Sequence, residues 1–197
     1  TNNFFGYGIL VKNTTSFSEV ENTIFYRLSA PNQSSGEGVL GAVNFYEADV
    51  RINNTKFIEN LKGDDFLNII RSNFLIRNSY FANTNSDSID VDFSQGIISN
   101  TTFNKSMNDA LDFSGSDVSL NNIDINQAGD KAISAGEKSV INIKKLIIKN
   151  SKIGVASKDL SKVILEDINI INTNIGVTAY KKKKEYGSAF TMNSKEK

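Results

Sequence analysis

Aliphatic residues return along this chain at a fixed step of 22. Phe66-Leu67-Asn68 is followed at that interval by Ser88-Ile89-Asp90, Ala110-Leu111-Asp112, Ala132-Ile133-Ser134, Gly154-Val155-Ala156 and Gly176-Val177-Thr178, so Leu67, Ile89, Leu111, Ile133, Val155 and Val177 form one apolar column. A second column runs through Phe81, Phe103, Ile125, Ile148 and Ile170, with one extra residue before Ile148. Ser79, Thr101, Ile123, Leu146 and Ile168 precede it by two positions. Alternation of this kind predicts strands with one buried face, and Val118-Ser119-Leu120 and Val140-Ile141-Asn142-Ile143 supply a further strand per unit. No i, i+3, i+4 pattern persists, and Ile, Val, Phe, Thr and Asn are poor material for long helices.

Three short strands per unit close one coil, and each strand pairs in parallel with its counterpart one coil on. The predicted fold is therefore all-β: a right-handed parallel β-helix solenoid of about 22 residues per coil and seven to eight coils, forming one domain over residues 1–197. Such a domain is compatible with a place in a longer chain. Asn83, Asn104, Asn126, Asn150 and Asn172 fall near the end of the third strand, where asparagine tolerates left-handed backbone and bonds to its like above and below. Toward the amino terminus Thr23 and Phe25 match Thr55 and Phe57 at a distance of 32, one unit plus ten residues. The turn-forming stretch 29–38 is the expected excursion, and residues 181–197 are expected to form a loop and a partial strand, Ser188 to Met192.

Composition narrows the chemistry. The chain has no cysteine and no histidine, which removes disulfides, thiolate nucleophiles, imidazole metal sites and the commonest general base near neutral pH. Twenty-two basic residues balance 22 acidic ones, so no overall field favours nucleic acid. No apolar run is long enough for a membrane span, and Thr1-Asn2-Asn3-Phe4-Phe5 lacks the features of a signal peptide.

The runs Asp109-Ala110-Leu111-Asp112-Phe113-Ser114, Gly129-Asp130-Lys131-Ala132-Ile133-Ser134-Ala135-Gly136-Glu137-Lys138-Ser139, Gly154-Val155-Ala156-Ser157-Lys158-Asp159 and Ala179-Tyr180-Lys181-Lys182-Lys183 resemble those of parallel β-helix modules in bacterial surface and exported proteins, within the pectin-lyase-like superfamily. The resemblance covers roughly residues 40 to 187 and implies an extracellular or cell-surface location with a polysaccharide or other glycan as partner. It does not choose among lyases, hydrolases, epimerases, adhesins and inert stalks.

The most suggestive chemistry lies beside the first strand of each coil. Asn68, Asp90, Asp112 and Ser134 share one column, and Asp65, Asp87, Asp109 and Lys131 share another three residues earlier, with Asp64 and Asp92 flanking them. Carboxylates stacked one rung apart repel, so Asp87, Asp90, Asp109 and Asp112 call for a compensating cation or a use for the strain. Three readings are open: a calcium site on those four aspartates; acid–base or nucleophilic work on a glycosidic bond, with rungs ~4.8 Å apart against ~5 to 5.5 Å for a retaining pair; or a solvated acidic strip neutralised by Lys131 and its neighbours.

Gly63-Asp64-Asp65 resembles an element of the superfamily's polygalacturonate hydrolases, whose histidine motif has no counterpart here. The resemblance to pectate lyases implies a proton-abstracting lysine, for which Lys131 and Lys158 are the candidates. Lys181 to Lys184 could grip an anionic glycan or membrane surface or form a solvated loop, and Tyr180 and Tyr186 beside Lys181 could stack on sugar rings or cover the final coil. Lys131, Glu137, Lys158 and Asp159 are expected to pair across rungs.

The leading functional expectation is a module that binds carbohydrate or serves as a scaffold. The alternative is a polysaccharide-active enzyme built on the stacked aspartates with Lys131.

Overall fold

The computed structural model describes residues 6–31 and 38–193. The described residues form strands and connecting turns with no helix, and the strands stack as a parallel β-solenoid of about 8 turns. One sheet has eight strands: Ile9–Lys12, Gly41–Tyr46, Asp65–Ile70, Asp87–Asp92, Leu111–Ser114, Lys131–Gly136, Ile153–Lys158 and Ile175–Tyr180. Its register joins Leu67 to Ile89, Ile89 to Leu111, Leu111 to Ile133, Ile133 to Val155 and Val155 to Val177, which is the 22-residue column. Five of these six side chains are fully buried, whereas Val177 in the eighth coil is 39% exposed among the described residues.

The second sheet has eleven strands and departs from the expectation of three short strands per coil. Early coils do use separate segments, such as Asn73–Arg77 followed by Tyr80–Thr84. From residue 95 the two fuse into single strands, Gln95–Ser106, Asp117–Ala128, Val140–Lys149 and Lys162–Ile171. In each, a mid-strand left-handed residue, Asn100, Asn122, Lys145 or Asp167, with φ of 50–58°, bends the strand while the ladder continues on both sides. Asparagine tolerates this region best, and Asn54, Asn78, Asn100 and Asn122 mark the bend in successive coils. Asn78 Oδ1 accepts from Asn100 Nδ2 and Asn100 Oδ1 from Asn122 Nδ2.

The other asparagine column departs from the expected pattern. Asn83, Asn150 and Asn172 adopt positive φ, but in the two coils between Asn83 and Asn150 that conformation falls on Lys105 and Gln127, one residue after Asn104 and Asn126. The side chains still form a ladder, Asn126 to Asn104, Asn150 to Asn126 and Asn172 to Asn150, at 2.6–2.9 Å.

Inside, Phe25, Phe57, Phe81 and Phe103 continue the second column as a stack, with ring centroids 5.0, 4.4 and 5.0 Å apart. A buried serine ladder carries the corner between the sheets. Each hydroxyl of Ser72, Ser94, Ser116, Ser139 and Ser161 accepts from the backbone N–H of the preceding coil, at 2.9–3.1 Å, giving a turning backbone partners where the ladder is interrupted.

The offset of 32 is present, since Phe25 pairs with Phe57. Ser29 and Ala30 still bond to the coil at Lys62, and residues 32–37 of the expected excursion lie outside the described residues. The extra residue before Ile148 falls in the turn where Glu137 and Lys138 both take positive φ. The partial carboxyl-terminal strand is Phe190–Asn193, paired on Lys162 to Leu165, two residues later than its expected start.

Candidate functional site

Two kinds of position bring the acidic residues together. Asp65, Asp87, Asp109 and Lys131 stand where the chain turns into the first sheet. There Asp87 Oδ1 accepts the backbone N–H of Asp109 at 2.7 Å, and Asp109 Oδ1 accepts that of Lys131 at 2.8 Å. A short carboxylate thus replaces a ladder bond, which is why aspartate recurs at this point of the coil. Asn44, Asn68, Asp90, Asp112 and Ser134 occupy the outward column of the same strands, in register at successive rungs. Asn68 Nδ2 donates to Asp90 Oδ2 at 3.0 Å.

The acidic residues are not a solvated strip. Asp65, Asp87 and Asp109 are only 3%, 7% and 2% exposed, and Asp90 and Asp112 are half-buried. Lysines provide part of the cover. Lys131 is itself buried and directs Nζ at both oxygens of Asp109, 3.3 Å away, and at Asp130. Lys158, also buried, lies across Gly136, so near that a Cβ there would stand 3.5 Å from its Cε, and it ends 3.8 Å from Asp112 Oδ1 two coils back.

The expected cross-rung pairs therefore form in part and with changed partners. Glu137 pairs with Lys183, and Asp159 accepts the backbone N–H groups of Lys182 and Lys183. Lys181 is exposed, Tyr180 is half-buried beside Lys158 in register, and Tyr186 is half-buried in the following turn.

The face is electrically lopsided. Carboxylates crowd the third to fifth coils, while Lys131 and Lys158 enter from the sixth and seventh and, among the described residues, pair with Asp109, Asp112 and Asp130. Burial, then the fields of Asp87 and Asp64, push Asp65 up to about 8. Burial outweighs the lowering hydrogen bond from the Asp109 backbone and, with the fields of Asp109 and Asp112 added, takes Asp87 to about 7. Burial followed by the charge of Asp65 raises Asp90 well above the carboxylate range, and Asp92 is raised by burial and by Asp112. Asp109 is raised as well, by burial and Asp112, against the pull of Lys131. For Lys131 burial opposes the charge, but the hydrogen bond to Asp130 and the field of Asp109 outweigh it and hold the ammonium above its ordinary value.

A pH dependence follows. Raised carboxyls keep protons in the folded state that the unfolded chain has already released, so between about pH 4 and about pH 8 stability falls as pH rises and then levels off. Melting curves of the parent across this window should show the fall, and Asp65→Asn with Asp87→Asn should flatten it.

Asp87, Asp109 and Asp112 offer carboxylate oxygens that all lie within 4.8 Å of one another. That span suits a calcium ion, whose oxygen ligands stand at about 2.3–2.6 Å. Asp90, expected in the same set, lies outside the three and is held by Asn68. Asp112 Oδ1 and, one rung on, the wholly buried Ser134 Oγ have no hydrogen-bond partner among the described residues.

The fold and this face define the class: a parallel β-solenoid with a buried, partly compensated acidic face. No family model matches the chain, and no curated protein matches it. Among solved structures it is similar to the catalytic unit of a thermostable GH87 alpha-1,3-glucanase from Streptomyces thermodiastaticus, at 10% identity and a TM-score of 0.40, over 96% of this chain and 46% of that one. A second is HetL, a pentapeptide repeat protein involved in heterocyst differentiation regulation from the cyanobacterium Nostoc, at 9% identity and a TM-score of 0.16, over 92% of both chains. The chain spans less than half of the glucanase unit, and neither likeness bears on what this chain binds. No helix among the described residues is long and apolar enough to cross a membrane.

Proposed function

We propose that the chain is a pectin-lyase-like β-helix module of a bacterial surface or exported protein, and that it binds polysaccharide along the outer face of its eight-stranded sheet. The observation that carries this reading is the pair Asp112 Oδ1 and Ser134 Oγ, two buried polar atoms on adjacent rungs without a hydrogen bond among the described residues, the first met only by the Lys158 ammonium at 3.8 Å. Leaving such groups without a hydrogen bond costs about 1–3 kcal/mol each, and sugar hydroxyls, which both donate and accept, would satisfy them on displacing the Lys158 ammonium that ends at Asp112. Asn68 and Asp90 extend the polar row on one side. Tyr180, Lys181 and Tyr186 stand at the other end, where an aromatic ring and an ammonium can meet a sugar. Calcium held by Asp87, Asp109 and Asp112 would offset the excess negative charge and offer open positions to hydroxyl oxygens.

A second reading, a polysaccharide-active enzyme, is favoured by one contrast. Asp87 and Asp109 are both raised, Asp87 to about 7, but Asp109 alone has the Lys131 ammonium against both oxygens to favour its charged form, and glycoside cleavage uses two carboxyls in unlike surroundings. Lys131, fully ion-paired, serves here as a counter-ion rather than as a proton-abstracting base.

Incubation with uronic-acid and neutral polysaccharides, with and without calcium, separates the two readings. Retention of a polymer without new reducing ends or unsaturated product supports the binding module, and turnover supports the enzyme. Retention of none would overturn both. Millimolar calcium should raise the melting temperature of the parent by mass action and leave Asp87→Asn/Asp112→Asn unmoved. An unshifted parent would remove calcium from the proposal.

A further inference from the structure

A second recess lies at the corner that leads into the acidic face, and its chemistry is of the opposite sign. Six residues separate Ile58 from Asp65, whereas four separate Ala82 from Asp87 in the coil paired with it. The two additional residues widen the corner. The result is a recess of about 240 Å³ whose lining includes Asn60, Leu61, Asn83, Asn85, Lys105 and Met107.

Three observations make it a built site. Asn60 is 2% exposed, and its Oδ1 accepts the backbone N–H of Asn85 at 2.6 Å. That bond fixes the amide's orientation, so Nδ2 must turn the other way, and there it has no hydrogen-bond partner among the described residues. Lys105, held by its positive φ on the rung after Asn83, forms no ion pair among the described residues. Glu59, the acidic residue at the rim, is already engaged by Arg27 at 3.7 Å.

We infer that this recess is an anion site that takes one carboxylate group. Asn60, with its orphaned amide donor, and Lys105, with its unpaired ammonium, both line it, and both favour an acceptor oxygen that carries charge. One lysine close to Glu59 compensates a single negative charge and not two, which favours a carboxylate over a phosphate dianion. Leu61 and Met107 give the carbon skeleton an apolar wall. The carboxylate could belong to a free hydroxy acid or to an acidic sugar of a bound glycan. In the second case the site deepens the polysaccharide reading, because the chain passes from Asn60 to Asp65, from Asn85 to Asp87 and from Met107 to Asp109 within a few residues.

Calorimetric titration of the 197-residue chain with glucuronate, lactate and glucose tests this. Glucuronate or lactate should bind at least tenfold more tightly than glucose, and whichever acid is tighter identifies the source. Lys105→Met, an exposed change, should weaken that acid at least tenfold. Asn60→Asp keeps the acceptor for Asn85 but replaces the donor by a negative charge, and should abolish binding. Lys105→Met decides the matter if Asn60→Asp melts early. Equal affinity for glucose, no binding of either acid, or an unchanged Lys105→Met would overturn the proposal. Polymer retained equally by parent and Lys105→Met, with neither acid bound, sinks this site and leaves the acidic-face reading standing. Acid binding without any polymer binding does the reverse.

Discussion

Leu111→Asp should unfold the middle of the solenoid, or lower its melting temperature further than any substitution on the acidic face. Leu111 is fully buried between Ile89 and Ile133, with Phe113 two residues on also fully buried. Removing the leucine side chain alone would cost about 2–5 kcal/mol, and an unpaired carboxylate in the same space adds a desolvation cost of several more. Each coil is stabilised by its neighbours, so the damage should spread to the coils on either side before it reaches the ends. Circular dichroism melts with hydrogen exchange would show both effects. A variant that melts like the parent would mean that the 22-residue column does not line the interior.

Lys131→Met should be the second most damaging. The substitution keeps most of the volume but removes the ammonium from Asp109, which is 2% exposed and hydrogen-bonded to Nζ through both oxygens. Breaking one partner of a buried pair typically costs about 3–5 kcal/mol, because the other charge is left behind. The loss is specific to pH. Asp109, already raised by burial and by Asp112, should move higher without its lysine, so the variant should recover stability as the solution is acidified. Asp109→Asn in the same background should restore much of the loss at neutral pH. Equal destabilisation at pH 5 and pH 8 would mean that lost packing, and not the stranded carboxylate, causes the effect.

Period and alternation made the coil legible. An aliphatic residue every 22 positions can only be kept inside if equivalent points of successive coils stack, and the registers from Leu67 to Val177 follow that count. The fused strands of the second sheet were not legible, because Lys145 and Asp167 take the left-handed bend that asparagine takes at 100 and 122, and neither residue type announces it. The acidic columns could be aligned from the sequence, yet their burial could not. That depends on Lys158 reaching back two coils to Asp112, and on Asp87 and Asp109 turning inward to accept backbone N–H groups. Side-chain reach has no period. The serine ladder from Ser72 to Ser161 did carry a signal, a recurrence at 22 or 23 residues, but serine is frequent enough in this chain to hide it. Asn60 became visible only once its corner was seen to hold two residues more than the corner paired with it.

The acidic face, and not another surface, should receive the saccharide. Calorimetric titration of a polysaccharide retained by the parent into the parent and into Asp90→Asn/Asp112→Asn, at one pH and one calcium concentration, tests this most directly. Both proteins should be folded: the substitutions remove like-charge repulsion without removing a core side chain, and the amide oxygen of the replacing asparagine can still face the Lys158 ammonium that Asp112 meets at 3.8 Å, a loss of charge that a melt of the variant would show beside the titration. Saturable heat with the parent and at least a tenfold loss of affinity in the variant is the expected result. Undiminished affinity in a folded variant would contradict it and place the ligand elsewhere on the solenoid.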